Sequence, residues 1–210
     1  MKYAGLISSA SVLVPVLCGI FTSRQPEWIR YKALFLFFSF TLLIEITADI
    51  LARNNHSNNL WVYNIYNLVE GVFWTIILGW WMQIRNYLVG ILCLSYAFIW
   101  FSSTVVSDSI FNFNTSIIIA ENAILIPFSA LVLLHLSKET VLPIYLIPEF
   151  WFSTALLFYC ASTSVIRATA TFLVHGENIM VFTWQLHSLF NIIANFMFAK
   201  AFLCIPRKMK

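Results

Sequence analysis

Long apolar stretches alternate with short polar breaks along the whole 210-residue chain. Windows of about 20 apolar residues are long enough to cross a bilayer as α-helices. The pattern predicts seven spans, near residues 4–22, 32–52, 60–82, 87–106, 115–136, 150–174 and 181–204. Breaks are clear at SRQPEWIR (23–30), RNNHSNN (53–59) and SKETVLPIYLIPE (137–149). They are brief at QIRN (83–86) and HGEN (175–178), so six spans remain possible if 87–136 folds differently. Pro15 and Pro127 fall inside spans one and five, where each removes a backbone donor and is expected to bend its helix.

Composition agrees with the pattern. The chain is 60% hydrophobic and 10% charged, outside the soluble globular range. Its 20 Phe and 8 Trp suit lipid contact and the headgroup interface. The expectation is a single transmembrane helical domain over residues 1–210, an all-α integral membrane protein. The first stretch is followed by no small-x-small cleavage site, so it reads as a retained span rather than a signal peptide.

Charge sets an expected orientation. Arg24, Arg30, Lys32, Arg85, Lys138, Lys200, Arg207, Lys208 and Lys210 fall on one side, against Lys2 and Arg53 on the other. Basic loops stay cytoplasmic, which puts the N-terminus outside and the C-terminus inside. Trp28, Trp61, Trp81, Trp151 and Trp184 lie near span ends, as interface anchors do. The net charge of +3 sits at span ends rather than on a face, so nucleic acid is not an expected partner.

Several polar side chains interrupt the apolar runs. Glu45 and Asp49 are four apart in span two, and Tyr63, Asn67 and Glu70 form a stripe on span three. Glu121 lies in span five, Arg167 in span six, and His187, Asn191 and Asn195 recur every four residues in span seven. With the orientation above, most of them fall in the outer half. A charge at membrane depth costs about 2.5–3.5 kcal/mol on insertion scales, so such residues face a bundle interior. The structural alternative is helix-to-helix bonding, at about 0.6 kcal/mol per contact, and it applies above all to the Asn191 and Asn195 stripe. Arg167 is expected to pair with Glu45, Glu70 or Glu121. It cannot neutralise all four acids, so the remainder must be protonated, solvated or matched to a cationic ligand. Glu70, far from either surface, is the first candidate.

Other chemistries lack their residues. There is no HxxxH or HExxH pairing, and His56, His135 and His175 lie near span ends or in loops. Cys18, Cys93, Cys160 and Cys204 form neither CxxC nor Cys/His metal spacing, and a disulfide framework is not expected. No GxSxG marks a nucleophile. Lys200 is too near the end of span seven to carry retinal. No cofactor is implied.

Tyr66-Asn67-Leu68-Val69 in span three aligns with Phe190-Asn191-Ile192-Ile193 in span seven, as a parallel 3+1+3 repeat would produce. The runs NNLWVYNIYNLVEGVFW (58–74), PEFWFSTALLFYCAS (148–162) and WQLHSLFNIIANFMFAKAF (184–202) resemble a group of small multi-span membrane proteins of Bacteroidetes-type bacteria. That resemblance implies a multi-pass protein of a bacterial inner membrane and carries no catalytic residue with it. The expected function is binding of a small ligand or ion in a polar cavity in the outer half, as a transporter or membrane sensor. The alternative is an oligomeric accessory or pore-forming subunit of a larger system, bacterial defence included, with a homo-oligomeric, membrane or cytoplasmic partner. An intramembrane enzyme acting on lipid ranks below both.

Overall fold

The computed structural model describes residues 2–53, 59–107, 110–111, 114–139, 143–172 and 177–206. Within them, the side chains of residues 2–4, 105–107, 167–172, 177–181 and 184 lie outside the description. The helices are α1 (Lys2–Ser11), α2 (Leu13–Thr22), α3 (Trp28–Arg53), α4 (Leu60–Trp81), α5 (Asn86–Phe101), α6 (Thr115–Glu139), α7 (Pro148–Phe172) and α8 (Glu177–Leu203). A π-helical turn, Ser102–Ser107, extends α5, and a short 3-10 turn, Ile144–Leu146, precedes α7.

Within the described residues, each segment expected to span is helical over most of its length, the first as the pair α1 and α2. Among the described residues, five helical stretches are long and apolar enough to cross a membrane: Gly5–Thr22, Trp28–Arg53, Asn86–Thr104, Thr115–Glu139 and Gln185–Leu203. Helices α4 and α7 match them in length, with 22 and 25 residues, but polar and Trp or Tyr side chains shorten their apolar runs. Asn64, Asn67 and Glu70 interrupt α4, and Ser162, Thr163, Ser164 and Arg167 interrupt α7. The chain is an all-α, multi-pass membrane protein.

The two prolines act differently. Pro15 cannot bond the Ser11 carbonyl, and its ring crowds that carbonyl. The helix breaks at Val12, whose N–H bonds the Ser9 carbonyl at 3.3 Å. Around Pro127, by contrast, α6 runs unbroken.

Helix α7 lies between α6 and α8, α8 also packs on α1 and α2, and α4 bridges α5 and α6. One end gathers the starts of α3 and α7 with the ends of α4 and α8. There Glu149, buried in the first turn of α7, accepts the Tyr31 hydroxyl at 2.8 Å and meets Arg30 Nη2 at 3.1 Å. A helix N-terminus favours that carboxylate. The Arg30 guanidinium also lies 5.4 Å from the Trp80 ring centroid. Most of the basic residues sit at this end in the sequence, and it is called the basic end below.

Aromatic rings fill the half next to the basic end. Phe37 stacks on Phe73 at 4.2 Å, Phe38 meets Phe198 at 4.8 Å, and Phe152 meets Phe202 edge-on at 5.1 Å. Trp74 lies among them, stacked on Phe198 at 5.6 Å. Lipid tails are as apolar as these rings, so packing rather than water exclusion favours the contacts. An aromatic pair contributes about 0.5–1.5 kcal/mol beyond its area. Polar side chains concentrate in the other half.

Candidate functional site: an acidic chain in the polar half

Helices α3 and α4 meet through their hydroxyl and carboxyl groups. Glu45 of α3 accepts Ser9 Oγ from α1 at 2.7 Å and hydrogen-bonds the Tyr63 hydroxyl of α4. One turn further along α3, exposed Asp49 is ion-paired with Arg53 at 2.6 Å. Asp49 also acts electrostatically on Glu45.

Deeper in α4, Glu70 hydrogen-bonds the hydroxyl of Tyr66, four residues before it on the same face. Tyr66 Oη is 3.0 Å from Thr41 Oγ1 on α3, and Thr41 Oγ1 is 3.0 Å from the Phe37 carbonyl. Among the described residues, the charged group acting on Glu70 is Glu45. Buried Glu121 of α6 and Glu70 both act electrostatically on Tyr66, Tyr96 and Cys160. Asp49, Glu45 with Tyr63, and Glu70 thus form an acidic chain along α3 and α4, and Glu121 shares Tyr66, Tyr96 and Cys160 with Glu70.

The remaining expected residues surround or leave this chain. The His187 ring is 6.2 Å from that of Tyr159, which itself acts on Tyr66. Asn67 is half-buried, and its backbone carbonyl accepts the Tyr96 hydroxyl at 2.9 Å. The side chain of Arg167 lies outside the described residues; Asn122 of α6 and Ser164 of α7, one turn before Arg167, are joined at 2.9 Å. Asn191 and Asn195 face α1 instead, donating to Ser8 Oγ at 2.9 Å and Ser11 Oγ at 2.7 Å.

Sequence reasoning missed three groups. Ser8, Ser9 and Ser11 are the hydroxyls that tie α1 to α8 and α3. Their signal was the ISSAS run (7–11) inside an apolar span. Thr41 and Tyr66 link Glu70 to α3, and neither carries a charge that marks it. Glu149 was read as part of a break, although it sits buried in the first turn of α7. Among the described residues, no group of three or more His, Cys, Asp or Glu side chains could hold a metal ion. No known protein family, curated protein or solved structure matches the chain.

Proposed function

We propose that this protein is a membrane transporter that takes up a small cationic ligand or ion along the acidic chain of its polar half. The observation that carries the proposal is the sequence of like charges from Asp49 through Glu45 to Glu70. Asp49 has its own counterion in Arg53, whereas among the described residues the charges acting on Glu45 and Glu70 are carboxylates. Like charges held together at membrane depth call for a positive occupant. The aromatic layer fills the bundle beyond Glu70, so the occupant enters from the Asp49 end.

In this reading all seven helical segments are spans, the basic end is cytoplasmic and the polar half opens outward, as in a bacterial inner membrane. Glu45, Tyr63, Glu70 and Glu121 form the centre of the ligand site, with His187 bordering it. Asn191 and Asn195 hold α8 to α1. Their contribution to the site is the fixed position of the helices.

The test is electrical recording from proteoliposomes on a supported membrane during concentration jumps of small cations and of protons. The wild-type protein gives transient currents. The Glu70→Gln/Glu121→Gln double variant, shown to be folded by its size-exclusion profile, gives none. Full currents from the double variant would reject the site. Ligand binding without any sustained flux would make the protein a sensor instead.

A further inference from the structure

We propose that the occupant of this acidic chain is a proton bound at Glu70, registered by a hydroxyl chain through Tyr66 and Thr41. The inference rests on the reading of the acidic chain as the ligand site and names the ligand.

Four groups make three links: Glu70 to Tyr66, Tyr66 to Thr41 at 3.0 Å, and Thr41 to the Phe37 carbonyl at 3.0 Å. A hydroxyl carries one hydrogen, and an ionised carboxylate carries none. With Glu70 ionised, the two hydroxyls supply two hydrogens for three links. Tyr66 donates to Glu70, and Thr41 serves either Tyr66 or the carbonyl. One link stays empty. A proton added to a Glu70 oxygen forms an O–H bond that donates to Tyr66. The two hydroxyls then rotate, Tyr66 donating to Thr41 and Thr41 to the Phe37 carbonyl, and all three links are filled. No other covalent bond changes.

The surroundings favour the same occupant. Among the described residues, the charged group acting on Glu70 is Glu45 of α3, and Tyr96 of α5, Glu121 of α6 and Cys160 of α7 face the same region. Tyr159 of α7 and Tyr66 of α4 adjoin it, with His187 of α8 beside Tyr159. Glu70 lies near the middle of α4, where an ionised carboxylate is costly. A hard metal cation would need six or more oxygen ligands. Glu70 is hydrogen-bonded to a phenol, and among the described residues no group of three or more His, Cys, Asp or Glu side chains could hold a metal ion. The chain also ends on Phe37, whose ring stacks on Phe73 at 4.2 Å. Protonation is therefore reported to α3 at the edge of the aromatic layer.

Infrared difference spectroscopy of the full chain in lipid vesicles, titrated with pH, tests this. Acidification should bring up a protonated-carboxyl C=O band that is lost in Glu70→Gln. In Tyr66→Phe the band should remain and move to higher frequency, because the hydrogen bond is gone. Tyr66→Phe also carries the test if Glu70→Gln does not fold. A band unchanged in Glu70→Gln, unmoved in Tyr66→Phe, or absent at every pH at which the protein stays folded would overturn the proposal. Cation-driven currents with Glu70 ionised throughout would leave the transport reading standing without the proton. A titrating Glu70 band with no current for any cation or proton jump would leave the proton site standing without transport.

Discussion

Ser9 Oγ donates to Glu45 Oε2 at 2.7 Å, joining α1 to the acidic face of α3. The neighbouring Ser8 and Ser11 receive Asn191 and Asn195 from α8. One helix, interrupted at Val12, thus holds both flanks of the polar half. Replacing Ser9 with Ala removes one hydroxyl donor from Glu45 and leaves that of Tyr63. The change should lower stability by about 0.6 kcal/mol, the average for hydrogen bonds between membrane helices, and by no more than about 1.7 kcal/mol. It should also alter the proton or cation response, since Glu45 acts on Glu70. Reversible unfolding in mixed micelles and the current assay read these two effects separately.

The Asn195–Ser11 bond is a structural link and should behave as one. A double-mutant cycle between Asn195→Ala and Ser11→Ala should give a coupling of about 0.6 kcal/mol, and no more than about 1.7 kcal/mol. Currents from the single variants should match wild type in reconstituted protein normalised for folded fraction. A variant that folds normally but loses its current would return Asn195 to the ligand site.

Gly71 sets the approach of α5 to α4. A Cβ at this position would run into the Tyr96 ring, whose hydroxyl bonds the Asn67 carbonyl at 2.9 Å. Gly71→Ala should therefore destabilise by about 1–3 kcal/mol, as overpacking does. Shortening the obstacle with Tyr96→Leu in the same chain should recover part of that loss. Additive effects of the two substitutions in an unfolding experiment would contradict the contact.

At the basic end, Tyr31 and Arg30 support the same buried carboxylate of Glu149 unequally. The Tyr31 side is enclosed, whereas the Arg30 side chain is 49% exposed. A hydrogen bond to a charged group contributes about 1.5–3 kcal/mol, and an exposed ion pair about 0–1 kcal/mol. Tyr31→Phe should consequently destabilise more than Arg30→Gln in parallel unfolding measurements. The reverse order would mean that the ion pair, not the phenol, secures α7.

The helical segments were legible because each is a continuous run of membrane-spanning length, and even the polar α4 and α7 keep that length. The break near Pro15 was legible as chemistry but not as position, since the ring acts on the carbonyl four residues earlier. The acidic residues announced themselves through the cost of charge in lipid. Their partners did not. Ser8 and Asn191 are 183 positions apart, and no local period encodes such a meeting. Hydroxyls such as Ser9, Thr41 and Tyr66 sit in apolar runs with little penalty, so nothing in a single sequence marks the ones that bond a carboxylate. The stripe of Asn191 and Asn195 was visible as a stripe, while its destination on α1 depended on tertiary packing.

The most direct test of a proton-binding carboxyl inside the bundle is labelling with a lipid-soluble carbodiimide, followed by peptide mass spectrometry. Such a reagent adds to protonated carboxyl groups at membrane depth and leaves ionised ones alone. Labelling should fall on Glu70, weaken as the pH is raised, and vanish in Glu70→Gln, while ion-paired Asp49 at the surface stays unmodified. A chain in which Glu70 stays unlabelled at every pH while Asp49 or Glu45 takes the reagent would contradict the account.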